Sequence, residues 1–118
     1  MKFPAPPWQG TNRLIPLTNF PQIAACAKEF NNCLVGEVLN ILGGRRYFYL
    51  WGEGRGVVVA LENDRFLGWV IGEIKARKNR NVPRKVVQEI KSDASSSGYI
   101  MLKDYDEACN NLWHYRYF

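Results

Sequence analysis

Histidine and cysteine are scarce in this chain, and their scarcity narrows its chemistry. One histidine, His114, and three cysteines, Cys26, Cys33 and Cys109, are the whole supply. Thiols so few, odd in number and set in apolar patterns do not make a disulfide framework, and they predict reduced, mostly buried cysteines. A zinc site drawn from Cys26, Cys33, Cys109 and His114 has suitable ligand types but lacks the close Cys-x-x-Cys pair that closes most structural sites. Long apolar runs are also missing. Val57–Leu61 is strand-sized, far short of the roughly eighteen residues that a membrane helix needs, so no membrane partner is expected. The opening MKFPAPPWQG has one lysine and then prolines where a secretory signal carries an apolar helix, which predicts a cytoplasmic protein. No internal repeat or low-complexity tract breaks up the chain.

What is present is enough for one packed domain. Apolar residues make up 47% of the 118 positions and aromatics 14%, against 23% charged. A chain of this size and composition buries most of its apolar surface in a single core. Four of the six prolines fall in residues 1–17, which therefore read as an extended N-terminal arm, pinned by Trp8 and Ile15 to a single α+β domain over residues 18–118.

Within that domain, Thr18 or Asn19 caps a helix from about Pro21, with Ile23, Cys26, Ala27, Phe30 and Leu34 at helical spacing. Val35, Val38, Leu39 and Leu42 continue the period up to the Gly43-Gly44 stop, as one helix or as a pair broken at Asn31-Asn32. Three β-rich runs follow, Arg45–Trp51, Val57–Glu62 and Phe66–Ala76, joined by hairpin-sized connections rich in turn formers, which predicts an antiparallel meander. Both faces of the first strand carry large side chains, so cover on both sides of the sheet is expected. Pro83 opens a further helix through Val86, Val87 and Ile90 that ends near Ser95-Ser96-Ser97-Gly98. Tyr99–Leu102 has the character of a short fourth strand, and Asp104 with Glu107 has capping-box spacing before a final helix carrying Trp113 and His114.

Charge is the most informative feature. Sixteen basic and eleven acidic side chains give a net charge of +5. Between Asp64 and Lys91 stand eight basic residues against three acidic ones, which accounts for the whole excess. Lys75, Arg77, Lys78, Arg80, Arg84 and Lys85 lie within eleven consecutive positions with no acid among them. Such density favours an anionic partner, and a helix start at Pro83 adds free backbone N–H groups suited to phosphate. Asn79 in that loop reads a base edge or braces the turn. The alternative is a solvated basic loop that serves solubility alone.

The order of a helix, Asn32-Cys33-Leu34, a helix ending in glycine, strands, and then Gly68 to Arg80 (GWVIGEIKARKNR) resembles the PcfJ-like proteins of plasmids and other mobile elements, over roughly Leu14 to Gly98. Trp69, Ile71, Glu73, Ile74 and Asn79 match the strand and loop of that family, and Cys33 matches its helical cysteine. Asn32 stands where histidine is usual, Glu73 where glutamine is common and Ala76 where glycine is common. The resemblance implies a mobile-element context more than a mechanism.

Other readings compete for the remaining candidates. Tyr47, Tyr49, Trp51 and Trp69 are either a base-stacking platform or, more in keeping with strands of a small domain, core. Cys33 as a nucleophile needs a base, and His114 is the one histidine that could serve; burial of Cys33 beside Cys26 is the competing outcome. Glu53, Glu62, Asp64 and Glu73 are possible ligands of a Mg²⁺-dependent nuclease, and Glu73-Ile74-Lys75 sets an acid and a lysine on one strand face. No second paired acid is evident in the sequence, and no metal or other cofactor is expected. Gly52-x-Gly54-x-Gly56 sits in a hairpin rather than between strand and helix, so it does not cradle phosphate. The pattern thus favours a nucleic-acid-binding accessory protein over an enzyme. The alternative is an interaction protein, such as an inhibitor of a host defence system, that meets an acidic protein surface or a nucleotide. Oligomeric state is not legible from these features.

Overall fold

The computed structural model describes residues 2–30, 34–52, 56–76 and 80–97. The described residues are α+β, with four antiparallel strands in the order β1-β2-β3-β4. These are β1 Leu14–Pro16, β2 Arg46–Trp51, β3 Val57–Asp64 and β4 Gly68–Ala76. The helices are α1 Phe20–Phe30, α2 Val38–Leu42, which follows a 3₁₀ turn at Leu34–Glu37, and α3 Arg84–Ser96. The expected fourth strand at Tyr99–Leu102 and the final helix from Asp104 lie outside the described residues.

The meander follows the sequence pattern, and its register decides which side chains meet. Tyr47, Tyr49 and Trp51 of β2 stand opposite Leu61, Val59 and Val57, with Ile74 opposite Val59 on β4. All of these are buried on one face of the sheet. Arg46 and Phe48 point to the other face, opposite Glu62 and Ala60, and Glu73 stands opposite Ala60 on β4. A bulge between Ala60 and Leu61 sets Gly72 out of the pairing. Because it lacks a side chain, Gly72 lets the Glu62 carboxylate lie against it, in space that a Cβ would occupy.

The arm joins the core. Its residues Leu14–Pro16 pair with β2 and so add a strand ahead of the meander. Trp8 is buried as expected, but Ile15 is 46% exposed and Leu14 takes the buried place, since strand alternation sends Ile15 to the other side. Tyr49 Oη accepts the Trp8 backbone N–H at 3.2 Å and donates to the Trp8 carbonyl at 2.5 Å, while Tyr47 Oη donates to the Pro4 carbonyl at 3.0 Å. Two phenols thereby satisfy backbone groups of the arm, whose prolines give it few of its own. Burial pushes both phenols above the ordinary tyrosine value, and for Tyr49 it outweighs the Trp8 hydrogen bond.

The same face is closed by α3. Asp93 of α3 takes a hydrogen bond from Thr11 Oγ1 at 3.0 Å and an ion pair from Arg13 at 2.5 Å, and the Arg13 guanidinium lies 4.9 Å from the Trp51 ring centre. Val87, Ile90 and Ala94 bury the inner stripe of α3.

On the opposite face, Asn19 caps α1 by accepting the Gln22 N–H at 2.9 Å, and Gln22 reaches back to the Thr18 N–H at 2.6 Å. The buried stripe beyond α1 is Leu34, Val38 and Ile41, whereas Val35 and Leu39 are exposed and Leu42 largely so. The expected face of Val35, Val38, Leu39 and Leu42 is therefore corrected at three of its four positions. A 3₁₀ turn advances about 120° per residue instead of 100°, which changes the phase of the helix that follows.

Candidate nucleic-acid interface and the Arg46 ion network

The basic segment divides between two surfaces. Lys75 shares the Glu73 face of β4 and pairs with Glu73 at 3.1 Å, so it turns away from the face that α3 covers. This removes Lys75 from the expected continuous cluster, and the cause is strand alternation. Beyond β4, the Ala76 N–H donates to the Arg80 carbonyl at 3.1 Å and Val82 is buried, which fixes both ends of the connection. Arg77, Lys78 and Asn79 lie outside the described residues.

Arg80, Arg84 and Lys85 are exposed, and among the described residues none of them has an ion pair. Pro83 is the N-cap of α3 and provides no side-chain hydrogen bond, and the first turn contains no acid. The first-turn N–H groups thus point outward without an intrahelical partner, beside two cations. This arrangement suits a phosphate far better than a carboxylate-capped helix would.

A second cluster is built around Arg46. Its Nη1 meets Glu37 Oε1 at 3.0 Å, its Nη2 meets Glu62 Oε2 at 3.4 Å, and Nη2 also binds Glu73 Oε1. Asn40 Nδ2 donates to Glu37 Oε1 at 2.9 Å, and the guanidinium lies 5.4 Å from the Phe48 ring centre. Among the described residues no acceptor meets the buried Arg46 Nε. Burial would raise the Glu73 carboxyl, but hydrogen bonds and charge from Arg46, and then from Lys75, prevail and hold it below the ordinary carboxylate value. Five elements contribute to this network, counting Asn40 of α2, and Glu37 and Arg46 were not among the residues singled out from the sequence.

The acids proposed for metal binding are thus accounted for in different ways. Glu62 and Glu73 are bound to Arg46, Asp64 caps the β3–β4 turn by accepting two backbone N–H groups, and Glu53 lies outside the described residues. Among the described residues no group of three Asp, Glu, His or Cys side chains is placed to hold a metal ion.

The stacking platform is also corrected. Tyr47, Tyr49 and Trp51 are buried and only Trp69 keeps partial exposure, so the platform has no open rings on β2. Among the described residues the large exposed ring is instead Phe66, at the tip of the β3–β4 hairpin, where strand was expected. The Asp64 to Gly68 turn spacing around Phe66 and Leu67 was the signal for it.

Cys26 is buried, and burial first and Glu29 second push its thiol up to about 11, which suits an inert structural thiol. Cys33, Cys109 and His114 lie outside the described residues. Among the described residues no helix is long and apolar enough to cross a membrane. No protein-family model, no curated protein and no solved structure matches the chain.

Proposed function

We propose that the protein binds nucleic acid, with phosphates held at the start of α3 by Arg80, Arg84, Lys85 and the free N–H groups of the first turn. The observation that supports this reading is the contrast in neutralisation: Arg13, Arg46 and Lys75 each meet a carboxylate, whereas among the described residues Arg80, Arg84 and Lys85 meet none. Arg77, Lys78 and Asn79 adjoin them in sequence and extend the same basic segment. The PcfJ-like pattern adds a context, an accessory protein of a plasmid, phage or similar element. Fluorescence anisotropy with labelled single-stranded and duplex DNA and RNA tests the reading. Binding that weakens steeply as salt rises is expected, and no binding at low salt overturns it.

A second reading has one observation in its favour. Glu62, Glu73 and Lys75 share a sheet face with Glu37 over them, residue types that metal-dependent phosphodiesterases use, although as folded all three carboxylates are held by Arg46 and none is placed for a metal ion. It requires Arg46 to release the carboxylates. Cleavage of nucleic acid in Mg²⁺ or Mn²⁺ that Glu73→Gln abolishes supports it, and intact substrate in both metals removes it.

A further inference from the structure

The β3–β4 hairpin carries a feature that phosphate binding at α3 does not use. Phe66 stands at the tip with 87% of its surface exposed. Single exposed apolar side chains are ordinary on protein surfaces. Here, however, the backbone holds the ring outward. Asp64 Oδ1 accepts the N–H groups of Phe66 at 2.8 Å and Leu67 at 3.0 Å, and Gly68, with φ +80°, returns the chain to β4 in a conformation that few other residues adopt. Below the tip, the Asn63 N–H donates to the Arg45 carbonyl at 2.9 Å and Asn63 Nδ2 donates to the Gly44 carbonyl at 3.3 Å. The hairpin base is thereby tied to the turn after α2, so the ring is presented without a loop having to be ordered first.

Charge of both signs lies near the tip, with the Asp64 carboxylate taken up by the turn's own N–H groups. Arg65 precedes Phe66, and Arg45 is held beside the hairpin base with its Nε on Asn40 Oδ1 at 3.1 Å. Both arginines are exposed, and among the described residues neither has an ion pair. A second copy of this chain would set these like charges against each other, which disfavours self-association through the tip. An exposed aromatic ring next to an exposed arginine in the chain, with a second arginine at the hairpin base, fits a nucleotide, because a base stacks on the ring while a phosphate takes the charge. Only an unpaired base offers its face in this way.

We infer that Phe66 is a base-stacking residue for single-stranded nucleic acid, with Arg65 and Arg45 meeting the flanking phosphates. The inference rests on the nucleic-acid reading and adds a second contact to it. The tip adjoins Gly68 at one end of β4 and the connection to α3 leaves from Ala76 at the other, and among the described residues β4 is an outer strand of the sheet. Eight residue steps at roughly 3.3 Å separate those ends by about 26 Å, so one strand of nucleic acid laid along β4 reaches both.

Anisotropy titrations of labelled oligothymidine and oligouridine test this with the full chain, comparing wild type, Phe66→Ala, Phe66→Trp and Arg65→Ala. Phe66→Ala is expected to bind roughly ten-fold more weakly with an unchanged salt slope, and Phe66→Trp to recover the affinity. Arg65→Ala lowers the salt slope by about one. Because Phe66 is exposed, all four proteins should share one thermal midpoint, which confirms that they fold alike. Tight wild-type binding with no loss in Phe66→Ala overturns the stacking role and leaves phosphate binding at α3 intact. No wild-type binding to either oligonucleotide overturns both. A loss shared by both oligonucleotides assigns the contact to the base ring and phosphate that they have in common, and a loss confined to one shows that the 2′-hydroxyl or the thymine methyl contributes as well.

Discussion

The two clusters of charge in this molecule differ in what answers them. Around Arg46, three carboxylates and a lysine from three other elements close on one another over the sheet, and the guanidinium is largely withdrawn from water. At the start of α3, three cations and a helix terminus stand in water with no carboxylate of the described chain to meet them. A charge answered from within is held in place by the fold and stabilises it only as part of its network, whereas a charge left open costs little in water and is available to a partner. The first cluster is therefore tied to stability, and the second is the one on which the proposed phosphate contact draws.

The largest effect expected from breaking this division is on stability. Arg46→Ala leaves Glu37, Glu62 and Glu73 facing one another without their cation and should destabilise the fold by about 3 kcal/mol or more, measured by urea unfolding. Its salt slope for nucleic acid should stay that of wild type. Equal loss of binding would show that the network itself meets the ligand.

A smaller effect is expected at Gly72, where an added Cβ meets the Glu62 side chain. Gly72→Ala should cost about 1–3 kcal/mol, as overpacking does, by forcing Glu62 off Arg46. A variant as stable as wild type would mean that Glu62 contributes nothing to holding the guanidinium.

The pH dependence sharpens the comparison further. Glu73 has a lowered value in the fold, so its contribution is fully present above the ordinary carboxylate value, about 4.3, and is lost as pH falls through the lower value of the folded state. Urea midpoints followed into acid should therefore fall less steeply for Glu73→Gln than for wild type. Parallel curves would mean that Glu73 gains nothing from Arg46 and Lys75.

The smallest effect on stability is expected at the open cluster. Arg84→Ala with Lys85→Ala should leave the thermal midpoint where it is, because both side chains are exposed.

Those two clusters were not equally legible in the sequence. The basic segment is local, so composition alone exposed it, and strands β2 to β4 and helix α3 followed from alternation, turn formers and Pro83. The Arg46 network was not legible because Glu37, Arg46, Glu62 and Glu73 are far apart in the chain and meet only through strand register, a bulge and a helix laid over the sheet. Lys75 belongs to the basic run in sequence but to the ion network in space, since alternation on β4 outweighs proximity along the chain. β1 is three residues long and contains a proline, too short for a period to show. The exposed face of α2 was misjudged because a 3₁₀ turn precedes it. Phe66 was read as strand because an apolar pair inside a turn has the same composition as the start of one.

The dependence of nucleic-acid affinity on salt, measured for wild type and for Arg84→Ala with Lys85→Ala, bears most directly on this division of roles. Two fewer phosphate contacts predict a log–log slope shallower by about two, with affinity reduced on every sequence tried. Identical slopes for the two proteins would contradict it and leave the open cations at α3 without a phosphate to hold.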